Sequence, residues 1–144
     1  MMKKQYFLFL IILLLSGCKA SKPVAEKSYD NALLLNKTWV VTVINGKELQ
    51  YPNDADAAYI TFKSNMTVHG FGGCNNYNGK YDIVGDSIAF DKVGATMRLC
   101  PEQDIEDALF KALNESSSFK VTKENLKLYG KQKKELINCI YLKE

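Results

Sequence analysis

The sequence predicts an α+β domain in which a small curved antiparallel β-sheet or partial barrel carries one amphipathic helix packed on it. Two observations predict it. From Thr38 onward, short runs of alternating apolar and polar residues recur about every ten residues with turn residues between them, the pattern of antiparallel strands. One segment, Pro101 to Ser116, breaks that period with apolar residues at Ile105, Ala108, Leu109, Ala112 and Leu113, the spacing of one helix face. Sixteen aromatic residues among 144 are enough to anchor a core and exclude a wholly disordered chain.

Twelve of the first seventeen residues are hydrophobic. Lys3 and Lys4 precede an apolar run from Tyr6 to Leu15, and Ser16 and Gly17 lead to Cys18, the layout of a secretion signal. A helix over that run would be roughly 15 Å long, half of the ~30 Å hydrocarbon core, which argues against a spanning segment. Leu15-Ser16-Gly17-Cys18 resembles the lipobox of bacterial lipoproteins. The resemblance implies that residues 1–17 are removed and that the Cys18 thiol receives a diacylglycerol, so that Cys18 becomes an acylated N-terminus. Residues 18–33, polar and containing Pro23, are expected to be a flexible tether to a domain spanning 34–144. Lys19 after the lipidated cysteine favours the outer membrane, facing the periplasm, if the cell has one.

The strands are expected at Thr38 to Ile44, Ala57 to Lys63, Met66 to Phe71, Lys80 to Val84, Ser87 to Phe90, Phe119 to Thr122, Leu126 to Tyr129 and Leu136 to Leu142. Asn45-Gly46, Ser64-Asn65 and Gly85-Asp86 are suitable turns between them. Lys92 to Leu99 reads as a further strand or an irregular crossing. In the helix, Pro101 suits the first turn, and Glu102 and Asp104 suit the positive end of the dipole. Its apolar stripe is expected to pack on the sheet, with Glu102, Asp104, Glu106 and Asp107 on a solvated side. Ser116 to Ser118 reads as a loop.

With Cys18 assigned to lipid, Cys74, Cys100 and Cys139 remain, an odd number for an oxidising compartment. Cys74 and Cys100 flank two short strands that could return on each other, so a Cys74–Cys100 bridge is favoured. Cys139 lies in a strand-like run, where a free thiol serves as a small buried hydrophobe. No cysteine or histidine pair has metal-ligand spacing, so no metal or other cofactor is expected.

The densest unusual chemistry runs from Gly70 to Tyr81, Gly-Phe-Gly-Gly-Cys-Asn-Asn-Tyr-Asn-Gly-Lys-Tyr. It does not complete a phosphate-binding glycine motif, and no helix pattern follows. Glycines and asparagines here suggest positive-φ backbone and local side-chain bonds between two strands. With Thr38-Trp39, Asn45-Gly46 and Ala95-Thr96-Met97-Arg98-Leu99-Cys100-Pro101, this segment resembles the META domain, also called HslJ-like. The resemblance covers nearly all of residues 34–144. It implies a small α+β domain with a strongly curved antiparallel sheet and one packed helix, common on bacterial lipoproteins and linked to heat-shock response and novobiocin resistance. It implies no established reaction. The shape is also similar to that of lipid-binding pilotins, which would require an apolar cavity between helix and sheet.

Net charge is +3, falling to +1 without Lys3 and Lys4. With Arg98 as the only arginine, the chain lacks the basic stripe that phosphate backbones require, and nucleic acid is excluded as a partner. His69, the only histidine, falls in a strand run and is expected to face solvent; Asp54 and Asp56 fall in a loop. No nucleophile, base and electrophile converge, so an enzyme, a hydrolase included, is not the expected function. The expectation is a monomeric, lipid-anchored, non-enzymatic envelope module for interaction or stress protection. Asn75, Asn76, Tyr77, Asn78, Thr96 and Arg98 are its candidate surface, offered to an envelope protein or a small apolar ligand. Arg98 could clamp a carboxylate or phosphate, or bond loop carbonyls, the more ordinary role.

Overall fold

The computed structural model describes residues 31–98, 100 and 103–143. Cys18, residues 1–17 and most of the expected tether therefore lie outside the described residues, as do Leu99, Pro101, Glu102 and Glu144. The strands are β1 (Trp39–Ile44), β2 (Lys47–Glu48), β3 (Tyr59–Phe62), β4 (Thr67–Phe71), β5 (Asn76–Val84), β6 (Ser87–Ala95), β7 (Ser118–Val121), β8 (Asn125–Tyr129) and β9 (Glu135–Tyr141), with one helix, α1 (Gln103–Glu115), between β6 and β7. All pairings between these strands are antiparallel, in the order β2-β1-β3-β4-β5-β6-β7-β8-β9, and β9 pairs back onto β1. The sheet thus curls into a ring, narrowest where Ser87 and Ser118 form the one residue pair between β6 and β7.

Alternate residues of each strand fill the ring. Trp39 and Val41 of β1, Ile60 and Phe62 of β3, Val68 of β4, Leu126 and Leu128 of β8, and Ile137 and Cys139 of β9 are all fully buried. Tyr77 and Tyr81 of β5 point inward too, and the Tyr81 ring meets Phe62 edge-on at 5.1 Å. Each large apolar side chain enclosed in this way stabilises the fold by roughly 1.5–3 kcal/mol.

Because neighbouring strands alternate in direction, the ring has two ends. The lower end holds the starts of β1, β4 and β8 and the ends of β3, β7 and β9, while the β5–β6 turn reaches Ser117 and Ser118 at the start of β7. The chain enters here: Leu35 pairs with Phe62, the Asn36 N–H donates to the Phe62 carbonyl, and buried Leu34 accepts a bond from the Trp39 indole at 3.0 Å. The upper end holds the β4–β5 connection and the crossover from β6 to β7. Helix α1 lies across it, with Ile105 and Glu106 beside Gly73 and Gly72, and the Glu115 carbonyl beside Gly130. Leu109, Ala112 and Leu113, from the expected stripe, are fully buried.

The structure extends two elements beyond expectation. β5 starts at Asn76 rather than Lys80, because Asn76, Tyr77, Asn78 and Gly79 continue the ladder against Phe71 to Val68. Of the Asn75–Asn78 segment, Asn76 to Asn78 are therefore strand and Asn75 alone stays in the β4–β5 connection. β6 likewise runs on to Ala95, absorbing an extra residue by a register shift opposite Asn78 to Lys80 with Lys92 at φ 52°. The Ser116–Ser118 loop shortens to a hinge: Ser116 Oγ caps the helix on the Ala112 carbonyl at 2.8 Å, and Ser118 already belongs to β7.

Candidate functional site

The upper end gathers the unusual residues of the sequence around Asn75. Four residues link β4 to β5, closed by the Gly72 N–H donating to the Asn75 carbonyl at 2.8 Å, with Gly73 at φ +99° where an L side chain would be strained. Cys74 is joined to Cys100 by a disulfide. This ties the crossover to the β4–β5 connection and leaves Cys139 free and buried.

Asn75, only 3% exposed, uses its whole side chain. Its Oδ1 accepts from the Arg98 backbone N–H at 2.8 Å and from Thr96 Oγ1 at 2.9 Å. Its Nδ2 donates to the Arg98 carbonyl and to Glu106 Oε1, both at 2.9 Å. The backbone N–H of Asn75 donates to Glu106 Oε2 at 2.7 Å, and Gln103 Nε2 reaches Oε1 at 3.2 Å. Glu106, also 3% exposed, is thus a buried carboxylate held by amide donors, and not the solvated acid expected from composition. Its place was readable: Glu106, Leu109 and Leu113 stand at i, i+3 and i+7, so Glu106 continues the buried face. Gly72 makes the approach possible, since a Cβ there would stand 2.7 Å from Glu106 Oε2.

The six candidate surface residues divide accordingly. Asn75 and Tyr77 are interior. The Tyr77 hydroxyl donates to the Tyr59 carbonyl at 3.1 Å, its ring packs edge-on against Phe110, and burial raises its hydroxyl well above the ordinary tyrosine range. Asn76, Thr96 and Arg98 are exposed at the rim, and Asn78 is exposed on the outer wall of β5. The Arg98 guanidinium donates to the Cys74 carbonyl at 2.8 Å, the bond to a loop carbonyl that its position suggested. With Cys74, Asn75 and fully exposed Met97, these rim residues line a shallow cleft of about 310 Å³.

His69 faces outward on β4, partly covered, and burial followed by the nearby Lys63 charge lowers its imidazole below the usual histidine range. Among the described residues, no group of three or more His, Cys, Asp or Glu could hold a metal ion, and no helix is long and apolar enough to cross a membrane. The helix residues Leu109, Ala112 and Leu113 have no accessible surface, nor do Trp39, Phe62, Leu128 and Ile137 of the ring. Side chains therefore pack closely between the helix and the ring at these residues. A larger cleft, about 560 Å³, lies outside the core at the other end of the helix, lined by Asn114 to Ser117, Gly130, Lys131, Lys134 and Leu136.

The META domain family matches residues 32–139, which takes in β1 to β8, the helix and all but the last two residues of β9. The chain belongs to the META domain family. Three solved structures share the fold of this META domain. An NMR structure of a protein from Burkholderia xenovorans superposes with a TM-score of 0.62 at 23% identity, covering 88% of this chain and 97% of that one. A second NMR structure gives 0.61 at 18% identity, covering 78% and 95%. A crystal structure of a DUF4847 family protein from Bacteroides vulgatus gives 0.59 at 16% identity, covering 79% and 98%. At these identities the likeness concerns the fold alone. Among curated proteins no match was found.

Proposed function

We propose that this META domain is a non-enzymatic interaction module of the bacterial envelope, anchored through lipid on Cys18, which presents its upper rim to a partner. One observation carries the reading. The chemistry-bearing groups of the upper end bond one another: the Asn75 amide and the Glu106 carboxylate are saturated by internal partners, and Cys74 and Cys100 are bridged. Among the described residues of the upper end no nucleophile stands beside a free base, which supports the non-enzymatic reading. What the arrangement leaves outward is a fixed strip, Asn76, Thr96, Met97 and Arg98, at the end of the ring opposite the entry of the chain from Cys18. A rigidly held polar strip with one uncovered methionine suits protein recognition, because its ordering cost is already met in the fold.

The anchor is tested by growth with an alkyne-tagged fatty acid: label on the wild type and none on Cys18→Ser is expected, and equal labelling refutes it. The rim is tested with a photo-crosslinking residue at Met97 and, as control, at Lys120 on the outer wall. A discrete adduct from Met97 alone is expected in intact cells. Adducts from both positions, or from neither, would count against the rim.

A further inference from the structure

We propose that the lower end of the ring is a docking surface for an anionic phospholipid headgroup layer, which sets the domain upright on the membrane that anchors it; this rests on the Cys18 anchoring reading. Among the exposed apolar side chains, Met66 in the β3–β4 turn and Leu142 just after β9 stand at that end, at 45% and 47% exposure. They stand at the same end on either side of β1, since β3 and β9 flank that strand and the Leu142 N–H donates to the Thr38 carbonyl. Lysines surround them. Lys37 lies over the rings of Trp39 and Tyr141 at 5.7 and 5.0 Å, Lys63 follows β3, Lys123 sits in the β7–β8 turn, and Lys143 follows Leu142.

None of these four lysines is in an ion pair among the described residues, whereas Lys127 of β8 and Lys133 of the β8–β9 connection face Glu135 and Asp86. Glu124, beside Lys123, is exposed at this rim, as is Asp82 next to Tyr81, whose N–H donates to the Met66 carbonyl, with Glu144 beyond Lys143 in the sequence. Apolar tips within a ring of cations match the boundary between acyl chains and phosphates, and the attraction acts within a Debye length of about 8–10 Å. The chain supplies that proximity. The described chain begins three residues before Leu34 at this same end, and the thirteen residues 18–30 can span at most roughly 45 Å, too long to fix an orientation alone but short enough to keep the rim beside the bilayer. The end carrying Met97 and Arg98 then faces away, which is where the proposed partner strip needs to be.

The test uses the full acylated protein in vesicles, with an environment-sensitive thiol fluorophore on Met66→Cys, Leu142→Cys or Met97→Cys. The native cysteines do not compete, being acylated, bridged, or, in Cys139, buried with the thiol pushed far up by burial. In phosphatidylglycerol-containing vesicles, emission from positions 66 and 142 is expected to shift to the blue relative to position 97. The shift should be lost in pure phosphatidylcholine and in Lys63→Glu/Lys143→Glu, whose unchanged melting temperature shows that the domain is intact. Acylated protein with the same emission at all three positions, or with the shift at 97, overturns the docking surface while leaving the anchor. Absence of the acyl group on Cys18 overturns the anchor and this proposal with it.

Discussion

Replacing Asn75 by alanine is the most direct test of the upper end. The truncation removes four side-chain hydrogen bonds of 2.8–2.9 Å, two accepted by Oδ1 and two donated by Nδ2. A typical bond contributes about 1 kcal/mol net, and one to a carboxylate about 1.5–3 kcal/mol. The groups left behind add to the cost: Glu106 loses a donor in a site only 3% exposed, and the Arg98 backbone N–H loses its acceptor. Because the four bonds share one side chain they are not additive, and we expect a loss of about 3–5 kcal/mol. For a domain of this size that lowers Tm by roughly 10–20 °C. Denaturant unfolding of wild type, Asn75→Ala and Asn76→Ala under oxidising conditions measures it. Asn76, exposed one residue along, should change stability by less than about 0.5 kcal/mol. A loss below about 1 kcal/mol for Asn75→Ala would show that the network does not hold the rim.

Three further outcomes follow from the same geometry. Opening the Cys74–Cys100 bridge, by reduction or by Cys74→Ala/Cys100→Ala, should cost about 3.5 kcal/mol in the chain-entropy account of a 26-residue loop; unfolding with and without reductant checks it. Gly70→Ala should be more severe than Gly72→Ala. A Cβ at Gly70 would stand 2.0 Å from the Tyr59 carbonyl oxygen, which is backbone, whereas at Gly72 it meets the movable Glu106 side chain at 2.7 Å. We expect a loss above about 3 kcal/mol, or no soluble protein, for Gly70→Ala, with circular dichroism melts as the readout. Alkali should unfold the domain through its tyrosines. Burial pushes Tyr51 up to about 12 and raises Tyr77 and Tyr81 in the same direction. Folded values above the unfolded one of about 10 mean stability that is complete below pH 10 and lost as pH rises beyond it. A tyrosinate absorbance titration should therefore show these groups ionising together with loss of circular dichroism; ordinary ionisation near pH 10 in a folded protein would contradict it.

The ring was legible in the sequence because its strands alternate cleanly. Trp39, Val41, Ile60, Phe62, Leu126 and Leu128 fall on inward positions that period two marks, and the helix stripe of Leu109, Ala112 and Leu113 packs as its spacing requires. The Cys74–Cys100 pairing was also readable, from the return of the strands between the two cysteines. The strand extent of Asn76 to Gly79 was not. Asparagine and glycine are poor strand formers locally, and only the β4 ladder, a tertiary constraint, keeps them extended. Glu106 was missed for a related reason. A helical acid is ordinarily solvated, and its burial depends on Gly72 and Asn75, thirty or more residues away, which supply the space and the donors. Composition assigns an acid to water by default; only the stripe position argued otherwise.

That misreading bears on what the Gly-Asn motif is for. A loop rich in glycine and asparagine around a lone arginine has the composition of a ligand cradle, and the same residue types are what a buried joint requires. Where a ring of strands is closed by a helix crossing its mouth, the connection below the helix must pass close under it. Side chains would obstruct that approach, and the backbone polar groups there lose water and need partners. Glycines at 70, 72 and 73 solve the first problem, and Asn75 with Glu106 the second. The Arg98 guanidinium, bonded to the Cys74 carbonyl, then belongs partly to the joint, so its removal tests two things at once. Met97 does not have that ambiguity, because it is fully exposed between two residues that the joint immobilises. A Met97→Asp change should leave Tm within a few degrees and abolish any adduct captured at the rim, as read by placing the photo-crosslinker at Asn76. If Met97→Asp binds as the wild type does, recognition lies elsewhere on the domain, and the rim motif serves the fold alone.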